Sequence, residues 1–451
     1  MEREHFGSRF AVITAFAGSA IGLGNIWRFP YMIGEYGGAA FILVYVAASL
    51  ILSLPIFFAE FIIGRRSRSN CFGAMKNLAP GSRWNALGLL CVVTPLLIVS
   101  YYSVVGGWSL NYLVRSCTLE FMRRPTESVD GIFDSFIVST WSPLLFFVAY
   151  LLLTCGIVAT GVKKGIEKFS KYSVPVLFLL VVTIAVYSIT IPGAGAGVKY
   201  LIRPDMSKIT PVTCINALGQ SFYSLSLGMG IIITYSSYVS KHENIFVTGV
   251  GTAVSDLIFA VIAGFAIMPA VFAAGIEPAS GPGLIFRTLP YIFSKMGETL
   301  PLLSAVVSIL FFLAIFISAL SSSIALVEVG VAYLIEEKRF KRWSACVAVF
   351  FFCFIFGALS TLSFGPLSGF HIAGEPVFDF LDKFSSNILL TTGCFLCVIF
   401  AGWKMSRSDV RDEFTNGGSL KLNDRLFGTI YFLMKYVAPI AVAVIFISNF
   451  I

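Results

Sequence analysis

GSAIGLGNIWRFP, residues 18–30, lies within the first long apolar stretch of the chain. A membrane-spanning helix is usually built from Leu, Ile, Val and Ala, yet this stretch holds three glycines, one asparagine, one arginine and one proline. Glycine and proline are tolerated inside a membrane helix only where the freed backbone groups find partners or face a cavity. The stretch therefore predicts a helix that is interrupted inside the membrane.

The composition indicates that the whole chain is a membrane protein. Its 451 residues are 57% hydrophobic and only 12% charged, whereas roughly a quarter of the residues of a soluble domain are charged. Apolar runs of about twenty residues recur, which is the length that crosses about 30 Å of hydrocarbon. The sequence predicts an all-α polytopic membrane protein with eleven spans, at 10–33, 38–63, 86–114, 141–161, 171–191, 214–239, 245–273, 301–334, 343–362, 376–403 and 426–450.

The net charge is +8, and the distribution of the basic residues along the chain is better explained by membrane topology than by nucleic-acid binding. With a cytoplasmic amino terminus, the inner segments carry more than twice as many lysines and arginines as the outer loops. This positive-inside bias predicts a cytoplasmic amino terminus, an extracytoplasmic carboxyl terminus and a location in the cell (inner) membrane. The first span lacks the features of a cleaved signal, so we expect it to be retained.

The sequence gives little support for an enzyme. It has no Walker A motif, no nucleophile elbow and no paired His/Cys metal cluster, and its three histidines lie in predicted loops. Cys394 and Cys397 form a CxxC, but within an apolar helix, where small packing residues are the more common explanation than a redox or zinc site.

A second span, the sixth, is interrupted in the same way. QSFYSLSLGMG, residues 220–230, also places small residues and a Gly-x-Gly near the middle of a span. Close helix packing explains either stretch taken alone. The two stretches lie in the first and sixth spans, however, and paired interrupted helices in an inverted repeat mark the binding site of a secondary transporter. Unwound helix ends offer N–H groups to an anion and carbonyl groups to a cation.

These residues resemble the neurotransmitter:sodium symporters, and in particular their bacterial branch with eleven helices. SALSSSIAL at 318–326 and FDFLDKFSSN at 378–387 are similar to the eighth and tenth helices of that family. The resemblance implies the LeuT-like fold, with a five-plus-five inverted repeat, broken helices 1 and 6 and an eleventh helix. The corresponding units are 1–191 (spans 1–5), 192–403 (spans 6–10) and 404–451 (a cytoplasmic loop and span 11).

The resemblance also implies two sodium sites. The first uses Ala20, Asn25, Ser224 and Asp256, and the second uses Gly18, Ile21, Ser318, Ser321 and Ser322. Back-bonding to the preceding helical turn is the alternative role for the serine run. Asp256 stands where a twelve-helix branch has asparagine, and we expect it to supply the negative charge that animal members obtain from chloride. The alternative is a protonated carboxyl bonded to a neighbouring helix.

The predicted substrate is a neutral amino acid with a hydrophobic or aromatic side chain. Gly22 replaces the aspartate of monoamine-transporting members, so the substrate must bring its own carboxylate. The resemblance implies that backbone groups at the breaks and a mostly apolar lining surround the substrate. The residues are Ala20, Gly22, Leu23, Gly24, Ile98, Tyr102, Tyr223, Ser226, Met229, Ser322 and Leu326.

Two gates follow from the same resemblance. Arg28 and Asp382 are expected to close the outer vestibule, either paired directly or bridged by water. Arg3 and Glu336 are expected to close the inner side with Tyr238 and Phe6, where Phe6 replaces the usual tryptophan. Simple interfacial anchoring is the alternative role for both arginines. Glu60 is predicted to cap backbone N–H groups at the sixth-span break, whereas Glu328 has no role that the sequence predicts.

The sequence thus predicts a sodium-coupled amino-acid symporter that works by alternating access. We expect it to bind no nucleic acid and to act as a monomer or weak oligomer in the lipid bilayer. Na⁺ is its only expected ion. A proton-coupled amino-acid carrier on the same fold is the alternative, because Asp256 and Glu60 are intramembrane acids. A substrate-sensing membrane receptor is a third class, although the sequence has no appended signalling domain.

Overall fold

The architecture is a bundle of long helices, taken from a computed structural model that describes residues 5–123, 129, 131–276 and 285–449. Nine helices in these ranges are long and apolar enough to cross a membrane, and one further pair of helices forms a bent span. The nine are Ala39–Ser67, Asn85–Cys117, Trp141–Ala159, Val162–Thr190, Ile245–Ala273, Pro301–Glu336, Arg342–Leu362, Val377–Lys404 and Lys421–Ser448. They correspond to predicted spans 2–5 and 7–11.

The remaining two predicted spans are the interrupted ones. Span 1 consists of Arg9–Ala20 and Gly24–Glu35, which meet at an angle of 50°. Span 6 consists of Pro211–Ser224 and Ile231–Ser236, each too short to cross a bilayer alone. The halves of span 6 are short because the segment between them, 225–230, is not helical.

Shorter elements connect the spans. The helices are Cys71–Leu78, Glu120–Arg123, Gly131–Val138, Gly195–Ile202, Met206–Lys208, Thr288–Gly297 and Arg407–Thr415. One hairpin pairs His371–Ile372 with Glu375–Pro376 in antiparallel fashion. Met206–Lys208 is a single 3₁₀ turn.

Polar side chains define where several helices begin. Ser8 caps span 1 by accepting the Ala11 N–H at 3.2 Å, and Asn244 caps span 7 by accepting the Phe246 N–H at 3.0 Å. Thr210 caps span 6, and Pro211 follows at the first helical position, where its missing N–H costs nothing. These caps satisfy donors that an uncapped helix end leaves unpaired.

The two broken spans lie inside the bundle. Arg9–Ala20 packs against spans 5, 7 and 8, and both halves of span 6 pack against span 2. The approach of spans 2 and 6 depends on Gly64, since a Cβ there would lie 2.0 Å from the Ile233 carbonyl oxygen. The fold therefore surrounds both interruptions with intact helices.

Candidate functional site

The first break exposes backbone groups next to span 3. The helix Arg9–Ala20 ends with the Ile21 N–H donating to the Ala17 carbonyl at 2.7 Å, and helical bonding resumes at Gly24. Between these points the Leu23 N–H donates to the Tyr102 hydroxyl at 2.8 Å. A main-chain donor of the break and a phenol of span 3 thus meet at one place.

The second break is held by a buried acid. Ser226, Gly228 and Gly230 have positive φ angles of 55°, 73° and 69°. The Gly228 N–H donates to Glu60 Oε1 at 2.6 Å, and Glu60 is fully buried. A Cβ at Gly228 would lie 2.3 Å from the Leu390 carbonyl oxygen, so glycine is required there. Glu60 therefore lies at the break that the sequence assigned to it.

A cluster of oxygen-bearing side chains joins the two breaks. Asp256 accepts a hydrogen bond from Asn25 Nδ2 at 2.7 Å and another from Ser224 Oγ at 2.8 Å. Ser224 Oγ also lies 3.2 Å from Asn25 Oδ1. All three side chains are buried. The structure thus brings together the three side chains predicted for the first sodium site.

Tyr45 is a further member of this cluster, which the sequence pattern did not predict. Its hydroxyl donates to Asp256 Oδ2 at 3.0 Å and lies 3.1 Å from Ser224 Oγ. The available signal was a single tyrosine within a predicted span, since a buried phenol hydroxyl usually has a partner. Its partner was not predictable without the packing of span 2 on span 7.

A cavity lies between the breaks and next to this cluster. Its volume is about 20 Å³, close to the space that one water needs, so this conformation is closed around the site. The cavity adjoins ten of the eleven predicted substrate residues: Ala20, Gly22, Gly24, Ile98, Tyr102, Tyr223, Ser226, Met229, Ser322 and Leu326. Leu23, the eleventh, bonds to Tyr102. Ser19, Ser224 and Ile231 complete the lining.

The serine run of span 8 faces the first break. Ser318 Oγ donates to the Ile21 carbonyl at 3.2 Å, and Ser322 Oγ donates to the Ser19 carbonyl at 3.1 Å. Ser321 Oγ is buried and has no hydrogen-bond partner among the described residues. A Cβ at Gly18 would lie 2.7 Å from that hydroxyl oxygen. An unpaired hydroxyl beside backbone carbonyls is a donor set that suits a hard cation.

Arg28 lies on one side of the cavity. Its guanidinium is 5.0 Å from the centroid of the Tyr223 ring, within the range of a cation–π contact. Arg28 and Asp382 do not form a direct ion pair among the described side chains. Of the two arrangements expected for this gate, the direct pair is therefore not the one observed.

Aromatic rings pack beside the other halves of the two broken spans. The Phe6 ring contacts Tyr235 and Tyr238 edge-on, with centroid distances of 5.9 and 6.2 Å. The Phe6 N–H also donates to the Tyr238 carbonyl at 3.2 Å. Arg3 lies outside the described residues, and Glu336 accepts hydrogen bonds from Asn70 N and Nδ2 at 2.8 and 3.0 Å.

Glu328, which had no predicted role, forms an ion pair with the half-buried Arg342 on this side. Its Oε2 lies 2.5 Å from Arg342 Nη2, and Glu328 is fully buried. The Tyr238 hydroxyl donates to Glu328 Oε1 at 2.8 Å. Spans 6, 8 and 9 are therefore joined through one carboxylate. The sequence signal was an acid within an apolar span, where a partner is required.

The family model of the sodium:neurotransmitter symporters matches residues 3–128 and 137–451. The chain belongs to the sodium:neurotransmitter symporter family. Relatives of this symporter include an uncharacterized sodium-dependent transporter, YhdH, of Bacillus subtilis (strain 168), which is 36% identical over 98% of this chain and 97% of its own. A second uncharacterized sodium-dependent transporter, from Haemophilus influenzae, is 35% identical over 99% and 98%.

A solved structure supports the same conclusion about the fold. MhsT in complex with L-phenylalanine superposes on this symporter with a TM-score of 0.90 and 40% identity, over 99% of this chain and 100% of MhsT. The predicted family and the all-α polytopic fold are thereby confirmed. The protein is a multi-pass membrane transporter of a sodium-dependent family.

Proposed function

We propose that the protein imports a neutral, hydrophobic or aromatic L-amino acid together with Na⁺ by alternating access. The observation that carries this proposal is that both interrupted spans line one cavity, which the Asn25–Ser224–Asp256 cluster adjoins through Ser224. Main-chain groups of the breaks suit the carboxylate and ammonium of the substrate. The L-phenylalanine bound to MhsT supports the choice of an amino acid.

The lining favours an apolar side chain on the substrate. Ile98, Met229 and Leu326 supply hydrocarbon, and methionine adapts to ligands of different shape. Gly22 has no side chain and so offers no carboxylate to the substrate amine, and a larger residue would not fit, because a Cβ there would lie 2.3 Å from Ser322 Oγ. The cavity must enlarge to admit an amino acid, which agrees with a closed state of an alternating-access cycle.

Two groups of oxygen ligands support two sodium sites. Asp256, Asn25, Ser224 and the Ala20 carbonyl form the first, and the substrate carboxylate completes it. Ser321, with Ser318, Ser322 and the carbonyls of Gly18 and Ile21, forms the second. We infer that the charge of Asp256 makes transport independent of chloride. Since the substrate and the first ion share a ligand, each improves the binding of the other.

The membrane potential supplies the driving force. Each positive charge that moves inward through 100 mV releases about 2.3 kcal/mol. Two sodium ions with a zwitterion release roughly 4.6 kcal/mol, which corresponds to about three decades of accumulation at 1.4 kcal/mol per decade. The gradient sets the direction of net transport, and the positive-inside bias predicts a cytoplasmic amino terminus in the inner membrane.

Uptake into proteoliposomes tests the proposal. We expect an inward sodium gradient to drive accumulation of labelled L-phenylalanine or L-leucine, and replacement of Na⁺ by choline to abolish it. Competition by each of the twenty amino acids then defines the substrate. Accumulation driven by a proton gradient in choline would instead favour the proton-coupled carrier. Failure of every amino acid to compete with the label would contradict an amino-acid substrate.

A further inference from the structure

A wide groove on the outside of the bundle is separate from the transport site. It lies between spans 4 and 5 and has a volume of about 950 Å³, at the upper end of the range of ligand sites. Leu152, Leu153 and Ile157 line one wall, and Ile317 of span 8 contributes to the lining. Gly156 borders the open part of the groove, because a Cβ there would meet no atom within 4 Å.

One end of this groove is positively charged. Lys164 and Lys168 line it and lie four residues apart, on one face of the helix. Both lysines are exposed, and neither forms an ion pair with a carboxylate in the described part of the chain. The acid between them, Glu167, accepts the Gly7 N–H at 2.9 Å. Within the described residues, the lysines therefore present charge that no carboxylate pairs with.

A buried donor lies deeper in the same groove. Ser173 is 7% exposed and lines the groove, and its hydroxyl has no hydrogen-bond partner among the described residues. It lies five residues beyond Lys168, or about 7.5 Å along a helix. Tyr172, next to it, lines the groove and is 62% exposed. The groove thus offers a cationic end, a hydroxyl below it and a hydrocarbon wall.

We propose that this groove binds one anionic phospholipid. Its phosphate lies between Lys164 and Lys168, a glycerol ester carbonyl accepts from Ser173, and an acyl chain fills the apolar part beside Gly156. Anionic lipids are enriched in the cytoplasmic leaflet, which is the side predicted for these lysines, and each lysine near such a surface favours them. A free phosphate ion would use only the charged end, so the acyl chain distinguishes the two sources.

Native mass spectrometry of the purified protein tests this site, with phosphatidylglycerol and phosphatidylcholine of identical chains. We expect wild type to favour phosphatidylglycerol by roughly 25-fold, from about 1 kcal/mol for each lysine at 1.4 kcal/mol per decade. K164A/K168A should lose that preference, whereas K338A/K341A, which removes two exposed charges elsewhere on the predicted cytoplasmic side, should keep it. Gly156→Phe should lower the occupancy by both lipids without lowering the melting temperature.

Three results would overturn the proposal. Equal losses in K164A/K168A and K338A/K341A would indicate attraction to general surface charge. Unchanged phosphatidylglycerol occupancy in Gly156→Phe would exclude the groove as the place of binding. Displacement of phosphatidylglycerol by inorganic phosphate would identify a phosphate site rather than a lipid site. Sodium-driven uptake is not used as a readout, so failure here leaves the proposed function unaffected.

Discussion

The hydroxyl of Tyr45 lies 3.0 Å from Oδ2 of Asp256, so span 2 directly holds the carboxylate proposed to bind sodium. Both residues are fully buried. Asn25 and Ser224 donate to the same carboxylate from the two broken spans. Three helices therefore orient an acid that a fourth carries, and their hydrogen bonds offset part of the cost of an intramembrane charge, which is about 2.5–3.5 kcal/mol.

Tyr45→Phe removes this hydroxyl and keeps the ring. We expect the sodium concentration that gives half-maximal substrate binding to rise roughly tenfold, because a hydrogen bond to a charged group contributes about 1.5–3 kcal/mol. Tyr436→Phe is the matched control, because this tyrosine is 46% exposed. The control should leave the half-maximal sodium concentration unchanged. Equal sodium dependence in wild type and Tyr45→Phe would remove Tyr45 from the sodium site.

Asp256→Asn tests the role proposed for the charge. Wild-type uptake should be the same in chloride and in gluconate, whereas the variant should lose most of its uptake in gluconate and recover part of it in chloride. Asp205→Asn, on an exposed loop, should behave as wild type. An Asp256→Asn variant that is fully active and insensitive to chloride would refute the hypothesis.

Gly22→Ala places a methyl group inside the site. The added Cβ would lie 2.3 Å from Ser322 Oγ and 2.8 Å from the Tyr102 hydroxyl. We expect substrate affinity to fall at least about tenfold, since overpacking costs about 1–3 kcal/mol. Gly219→Ala is the control, because a Cβ there would meet no atom within 4 Å, and we expect this variant to bind substrate with wild-type affinity. Normal equilibrium binding by Gly22→Ala would show that the substrate lies elsewhere.

Much of this site was predictable because its chemistry is local in sequence. The glycines at 22, 24, 228 and 230 mark the breaks within the chain itself, and Asp256 is an acid in an apolar span. The contributions of Tyr45 and the Ser19 carbonyl depend on which helices pack together, which no local pattern encodes. Of the two arrangements expected for Arg28 and Asp382, the described side chains do not show the direct pair, and the sequence did not predict the Tyr223 ring within cation–π distance of the guanidinium.

Glu328→Gln tests the ion pair on the predicted inner side. Because Arg342 is 20% exposed, removing its partner should cost less than the about 3–5 kcal/mol of a fully buried pair, and we expect a lower melting temperature and slower uptake with substrate binding retained. Glu328→Gln/Arg342→Gln should recover part of the stability. Asp424→Asn breaks the Arg411 pair, in which the side chains are 58% and 37% exposed, and should cost only about 0–1 kcal/mol. Equal stability losses in Glu328→Gln and Asp424→Asn would contradict the stabilising role given to the Glu328–Arg342 pair.

Na⁺ and an amino acid are proposed to occupy one shared site between the two broken spans. Reciprocal binding measures this most directly: the affinity for L-phenylalanine, or the best competitor, is determined over a series of sodium concentrations, and the affinity for Na⁺ over a series of substrate concentrations. Thermodynamic linkage requires the same factor in both directions, and we predict a factor above ten that Asp256→Asn reduces. Substrate binding of equal strength in sodium and in choline would contradict the account.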